Sequence, residues 1–122
     1  MVDCERGIDD ELRRVLAKLA RRAGTRISGG RRARWEPGNV NNPQDRYLGG
    51  KFTEETAWSL IFEKLRDGHA VETMVLDHPP GATGYVMKIR VDANLPRVYV
   101  KLELPKNRRK VLGRSFHYSI HE

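Results

Sequence analysis

After Gly68 the chain changes its hydrophobic period, and no other feature constrains its fold as strongly. Four short runs rich in β-branched and aromatic residues follow, at 70–76, 85–91, 97–104 and 110–120. Such runs are predicted strands. They are separated by DHPPGATG, DANLP and PKNRR, where Pro, Gly, Asn and Asp supply the backbone angles and local hydrogen bonds that tight connections need. Strands joined so briefly pair antiparallel, because a parallel neighbour needs a crossover of a dozen or more residues.

Before Gly68 the spacing is helical. Leu12, Val15, Leu16, Leu19 and Ala23 recur at the three-and-four spacing of one helical face, which predicts a helix over 9–23. Asp9, Asp10 and Glu11 suit its N-terminus, Arg21 and Arg22 its C-terminus, and Gly24 offers a left-handed stop. Thr53 predicts the N-cap of a second helix, with Glu54 and Glu55 in its first turn, Trp58, Ile61, Phe62 and Leu65 on one stripe, and Gly68 at its end. The expected fold is therefore α+β, two helices packed on a four-stranded antiparallel sheet. At 122 residues the chain suits one domain. Within it, residues 1–50 form an N-terminal helix and a basic Arg/Gly loop, and 51–122 a helix plus the sheet.

Between 25 and 50 the periodicity vanishes in GGRRARWEPGNVNNPQDRYLGG, which predicts a long loop. Its arginines, among them Arg31, Arg32 and Arg34, stand beside Trp35. They suit a phosphate backbone tracked by cations with one stacking ring; Trp35 and Tyr47 suit equally well a loop pinned to the body.

Charge narrows the partner. The formal net charge is +7, which favours a polyanion. From Pro79 onward nine Lys or Arg face three Asp or Glu, and over residues 1–50 eleven face seven; the middle is net acidic, so basic character gathers at the two ends. No run of about 18 apolar residues exists to span a bilayer, and MVDCERGIDDELRR lacks the apolar stretch of a secretory signal. A cytoplasmic protein is expected. The single cysteine, Cys4, excludes an internal disulfide and a multi-cysteine zinc framework.

Side chains alternate across a strand, so each run divides into two faces. Tyr85, Met87, Ile89 and Val91, then Val98, Val100, Leu102 and Leu104, then Leu112, Phe116 and Ile120 read as core. Lys88 and Arg90, then Arg97, Tyr99, Lys101 and Glu103, then Ser115, His117 and Ser119 face out. Arg114 and Tyr118 fall on the nominal core face, and a bulge near Gly113 would exchange the exposed set of the last strand.

Lys88, Arg90, Tyr99, Lys101, Ser115 and His117 together make a kit for cutting RNA without a metal. That reaction needs a base for the 2′-hydroxyl proton, an acid for the leaving 5′-oxygen, and cations for charge developing on phosphate. His117 is the proton carrier because imidazole titrates near neutrality; Lys88, Lys101 and Arg90 hold phosphate; Tyr99 assists proton transfer or stacks a base. Arg97, Arg114, Ser115, Tyr118, Arg31, Arg32 and Arg34 are the further candidates for RNA contact. The same face also suits a non-catalytic RNA- or ribosome-binding module, or a basic surface that docks an acidic protein. His117 and His121, four apart on a strand, would stand roughly 13 Å from each other, too far to share a metal. His78 sits in a turn. No phosphate-cradling glycine loop, nucleophile elbow or zinc spacing occurs, and neither cofactor nor metal is expected.

The run Val98-Tyr99-Val100-Lys101-Leu102-Glu103-Leu104, a basic hairpin, and then Gly113-Arg114-Ser115-Phe116-His117 resemble the end of MqsR-family toxins, where a VY-x-K strand precedes an SFK or SFH strand. The resemblance covers roughly residues 48–121. It implies a RelE/barnase-like fold and a bacterial, metal-independent mRNA-cleaving toxin neutralised by a cognate antitoxin protein. It places the family's strand tyrosine on Tyr99 and the catalytic lysine of the SFK motif on His117. An earlier family lysine falls on Glu72, the strand glutamine has no counterpart, and Lys88 is the candidate substitute. The N-terminal helix and arginine loop lie outside it.

Overall fold

A computed structural model describes residues 7–30, 33–44, 50–76 and 82–119. The first helix, α1, spans Asp10–Arg21. The Asp9 carboxylate accepts the Leu12 amide at 2.7 Å, satisfying one of the donors a helix start leaves open. Its C-terminus differs from expectation. The helix stops at Arg21, with Arg22 extended, and Gly24 lies in a short 3-10 turn, Ala23–Thr25, without a left-handed backbone. A glycine stop is not needed because side chains meet the terminal carbonyls: Thr25 Oγ1 donates to Leu19 O at 2.7 Å and the Arg26 guanidinium to Ala20 O at 3.0 Å.

The second helix, α2, spans Glu54–Arg66 and is capped by Thr53 as its sequence predicts, with Thr56 completing a reciprocal capping box. Gly68 ends it at φ 87°, which lets the His69 amide reach back to Lys64 O at 2.9 Å. Arg13 ties the helices together, its guanidinium donating to Leu65 O and His69 O at 3.1 and 2.9 Å. A cation thus sits on the negative end of α2.

The sheet is larger than a four-stranded antiparallel one. Strands β3 (Glu72–Val75), β4 (Thr83–Ile89), β5 (Val98–Glu103) and β6 (Val111–Tyr118) form the expected antiparallel meander. Two more strands, β1 (Arg26–Ser28) and β2 (Arg34–Trp35), pair parallel with β6. The sheet is therefore mixed, in the order β1-β6-β5-β4-β3 with β2 also on β6. The stretch read as a loop from 25 to 50 contributes both added strands, and α2 belongs to the crossover that parallel pairing requires.

Leu16, Leu19 and Ala20 of α1 and Ala57, Trp58, Ile61 and Leu65 of α2 share one core with Tyr85, Met87, Ile89, Val98, Val100, Leu102, Val111 and Phe116. Both helices therefore lie on one face of the sheet. A bulge near Gly113 is present: Lys101 pairs with Ser115 but Leu102 with Gly113, leaving Arg114 as the extra residue of β6. It corrects one expected core position. Beyond the bulge the alternation inverts, so fully buried Val111 faces the helices and Leu112, opposite Glu103, does not.

Gly113 faces the helices too, and the backbone there has no room for a side chain. A Cβ on it would sit 2.5 Å from Trp35 Cζ3 and 2.8 Å from Trp58 Cζ2. Those indoles lie 5.0 Å apart, centroid to centroid. Trp35 also meets the edge of Phe116 at 5.6 Å. The Glu54 carboxylate accepts from Nε1 of Trp35 at 2.9 Å and from Nε1 of Trp58 at 3.1 Å. Trp35 is thus a clamp that holds β2 to α2.

Candidate nucleic-acid interface

The opposite face of the sheet carries no helix among the described residues, and pairing sets its side chains in rows. Lys88, Tyr99 and His117 stand directly across from one another on β4, β5 and β6. With strands about 4.8 Å apart, the row spans roughly 10 Å. The next row holds Val86, Lys101, Ser115 and, across the parallel edge, Arg34. The bulge sits just beyond Ser115, so Ser115 and His117 keep the side of the sheet that simple alternation predicts, but Ser115 is buried there rather than exposed as expected, while His117 is half-buried.

The Tyr99 and His117 rings stack, 5.3 Å between centroids and 20° from parallel. Burial holds the Tyr99 phenol above the usual tyrosine range, and the negative charge of Glu72 adds to the effect. The hydroxyl therefore stays protonated through neutral pH and offers a donor. His117 Nδ1 lies 2.8 Å from Tyr118 O. A carbonyl can only accept, so Nδ1 carries the hydrogen in that contact and Nε2 of the neutral ring is left as the basic nitrogen. Lys88 and Lys101 are each half-buried.

The other sequence candidates are placed as follows. Arg90 follows β4, and its guanidinium donates at 2.6 Å to Leu95 O in the connection to β5. Arg97 precedes β5, its carbonyl accepting from Ser119 N at 2.8 Å, which carries the β5–β6 pairing one step beyond the strands. Arg34 reaches Glu36 at 3.7 Å. Arg114, the bulge residue, lies 3.7 Å from the buried Glu103 carboxylate. Tyr118 stands on the helix side, opposite Val98, and its hydroxyl accepts the Asn41 amide at 2.9 Å. Arg31, Arg32, Tyr47, His78 and His121 lie outside the described residues.

Two features add to the face. Glu72 stands opposite Val86 and acts on Tyr99, a relationship visible from sequence only once β3 is registered against β4. Arg108, with φ 55°, turns the β5–β6 hairpin, whose Lys106, Arg108, Arg109 and Lys110 are all exposed. Among the described residues no three His, Cys, Asp or Glu side chains group to hold a metal, and no helix is long and apolar enough to cross a membrane.

A row of lysine, phenol and imidazole beside a second lysine can bind a phosphodiester and move protons at its oxygens. Comparison with protein-family models, curated proteins and solved structures gives no match.

Proposed function

We propose that this protein is a metal-independent endoribonuclease of the MqsR and RelE kind, acting on mRNA in a bacterial cytoplasm and neutralised by a cognate antitoxin protein. The observation that supports it is the registered row Lys88–Tyr99–His117 with Lys101 beside it, on the face the helices leave free. A single-stranded RNA laid along this row places one phosphate among two ammonium groups. His117 Nε2 takes the 2′-hydroxyl proton as the 2′-oxygen attacks phosphorus. The P–O5′ bond breaks, and the departing oxygen takes a proton from the Tyr99 hydroxyl or from water. The products are a 2′,3′-cyclic phosphate and a 5′-hydroxyl, and the imidazolium proton passes to the Tyr99 phenolate or the hydroxide left behind, which restores the site. Lys101 and Lys88 neutralise charge on the non-bridging oxygens.

The test is induction of the chain and of its His117→Ala variant in a bacterial host, following growth and total RNA, with end analysis of the fragments. Growth arrest with fragments ending in 2′,3′-cyclic phosphate, absent from the variant, is the expected result. Purified protein that binds single-stranded RNA with steep salt dependence and never cuts it would instead make this a binding module.

A further inference from the structure

On the helix side, away from the row of Lys88, Tyr99 and His117, α1 and α2 leave an open groove of about 670 Å³. Its floor is apolar: Ala17, Leu65 and the half-buried ring of Phe62. Its rim is entirely cationic. Arg14, Lys18 and Arg21 of α1, Arg22 at its C-cap and Arg66 of α2 are all exposed around it, and no acidic residue lines it among the described residues. Arg66 is paired with Asp67, and Arg21 and Arg66 each lie over the Phe62 ring, at 5.6 and 5.5 Å from its centroid. Arg14, Lys18 and Arg22 have no ion-pair partner among the described residues. Arg14 and Lys18 stand about one turn apart on α1, and Arg22 follows at its extended C-cap.

We infer that this groove docks an acidic amphipathic helix of a partner protein. Like charges held one turn apart repel one another, and a carboxylate set at the same spacing on an opposing helix relieves that repulsion. The apolar floor suits the hydrophobic stripe of such a helix, as in helix-in-groove recognition. Single-stranded RNA fits less well, because it binds by stacking bases on open aromatic faces and the Phe62 ring already carries two guanidinium groups. The inference concerns a different face from the proposed nuclease row and does not depend on it.

The probes are synthetic helical peptides of about four turns: one with leucines on one stripe flanked by glutamates, one with lysines replacing those glutamates, and one with serines replacing the leucines. Oligouridylate is the RNA probe. Fluorescence anisotropy should find the glutamate–leucine peptide bound at least about tenfold more tightly than either control peptide. The variants Arg14→Glu/Lys18→Glu/Arg22→Glu and, more gently, Arg14→Gln/Lys18→Gln/Arg22→Gln should weaken it, the first at least about tenfold. Circular dichroism checks that both remain folded, and amide shifts should map to α1 and α2. Any of three results overturns the inference: no preference for the glutamate–leucine peptide, peptide shifts centred on His117 and Lys88, or oligouridylate that binds and loses affinity on charge reversal while the peptide does neither.

Discussion

Tyr99 and His117 occupy directly paired positions on β5 and β6, and their rings stack with centroids 5.3 Å apart. The contact fixes the imidazole plane from one side while Nδ1 is held by the Tyr118 carbonyl, so Nε2 has a defined direction. If that direction matters to cleavage, the ring of Tyr99 and its hydroxyl should separate by mutation. Tyr99→Phe keeps the stack and should cleave a fluorogenic RNA within about tenfold of the parent, whereas Tyr99→Ala should lose about 100-fold through misplaced imidazole. Equal losses in the two variants would place the hydroxyl itself in the proton transfer.

The tyrosine should also report on its surroundings in alkaline solution. Burial is the larger cause of its raised pKa and Glu72 the smaller, so Glu72→Gln should lower the Tyr99 midpoint only part of the way toward the ordinary value. A folded-state pKa above the unfolded one means that the folded chain holds its proton longer. The associated stability is present below the unfolded tyrosine pKa, near 10, and is lost as pH rises through the folded value. Absorbance near 295 nm should therefore show a late-titrating component that is lost in Tyr99→Phe, and thermal stability above about pH 10 should fall less steeply in that variant.

The outward row was legible because alternation holds across β4, β5 and the far part of β6. Lys88, Tyr99, Lys101, Ser115 and His117 are where a period of two puts them. Both helices and the Thr53 cap followed from spacing and end chemistry. The strands β1 and β2 were not legible, since at three and two residues neither is long enough to display a period. What holds them is remote in sequence: the β6 backbone, and Glu54, which accepts from Ser28 Oγ and from Trp35 and Trp58 Nε1. Leu112 was misplaced for a related reason. An extra residue at Arg114 inverts the pattern beyond it, and hydropathy cannot tell which of Val111 and Leu112 then turns inward.

Gly113 should be the least replaceable small residue of β6. Its missing side chain is what lets Trp35 and Trp58 close over the strand, and both are clamped by Glu54. Gly113→Ala forces the indoles apart and should cost about 1–3 kcal/mol, the usual range for overpacking a filled core. Urea denaturation should show a lower midpoint with little change in slope, and tryptophan emission should shift to the red as the pair opens.

Glu103 and Arg114 should be strongly coupled. Glu103 is 8% exposed and its Oε1 has no hydrogen-bond partner, so the Arg114 guanidinium at 3.7 Å is its compensating charge. That guanidinium packs against Gly30, where φ is 112° and a Cβ would come within 2.9 Å of Nη1. Arg114→Met leaves a buried carboxylate beside an apolar chain and should destabilise by about 3–5 kcal/mol, the range for breaking one partner of a buried pair. Glu103→Leu removes the buried charge and should cost far less. In the double variant neither charge needs solvation, so about 1–3 kcal/mol of the Arg114→Met loss should be recovered, which is the coupling read from the double-mutant cycle. Additive single-variant losses in chemical denaturation would show that Glu103 is solvated in the folded chain and that Arg114 acts on the bulge alone.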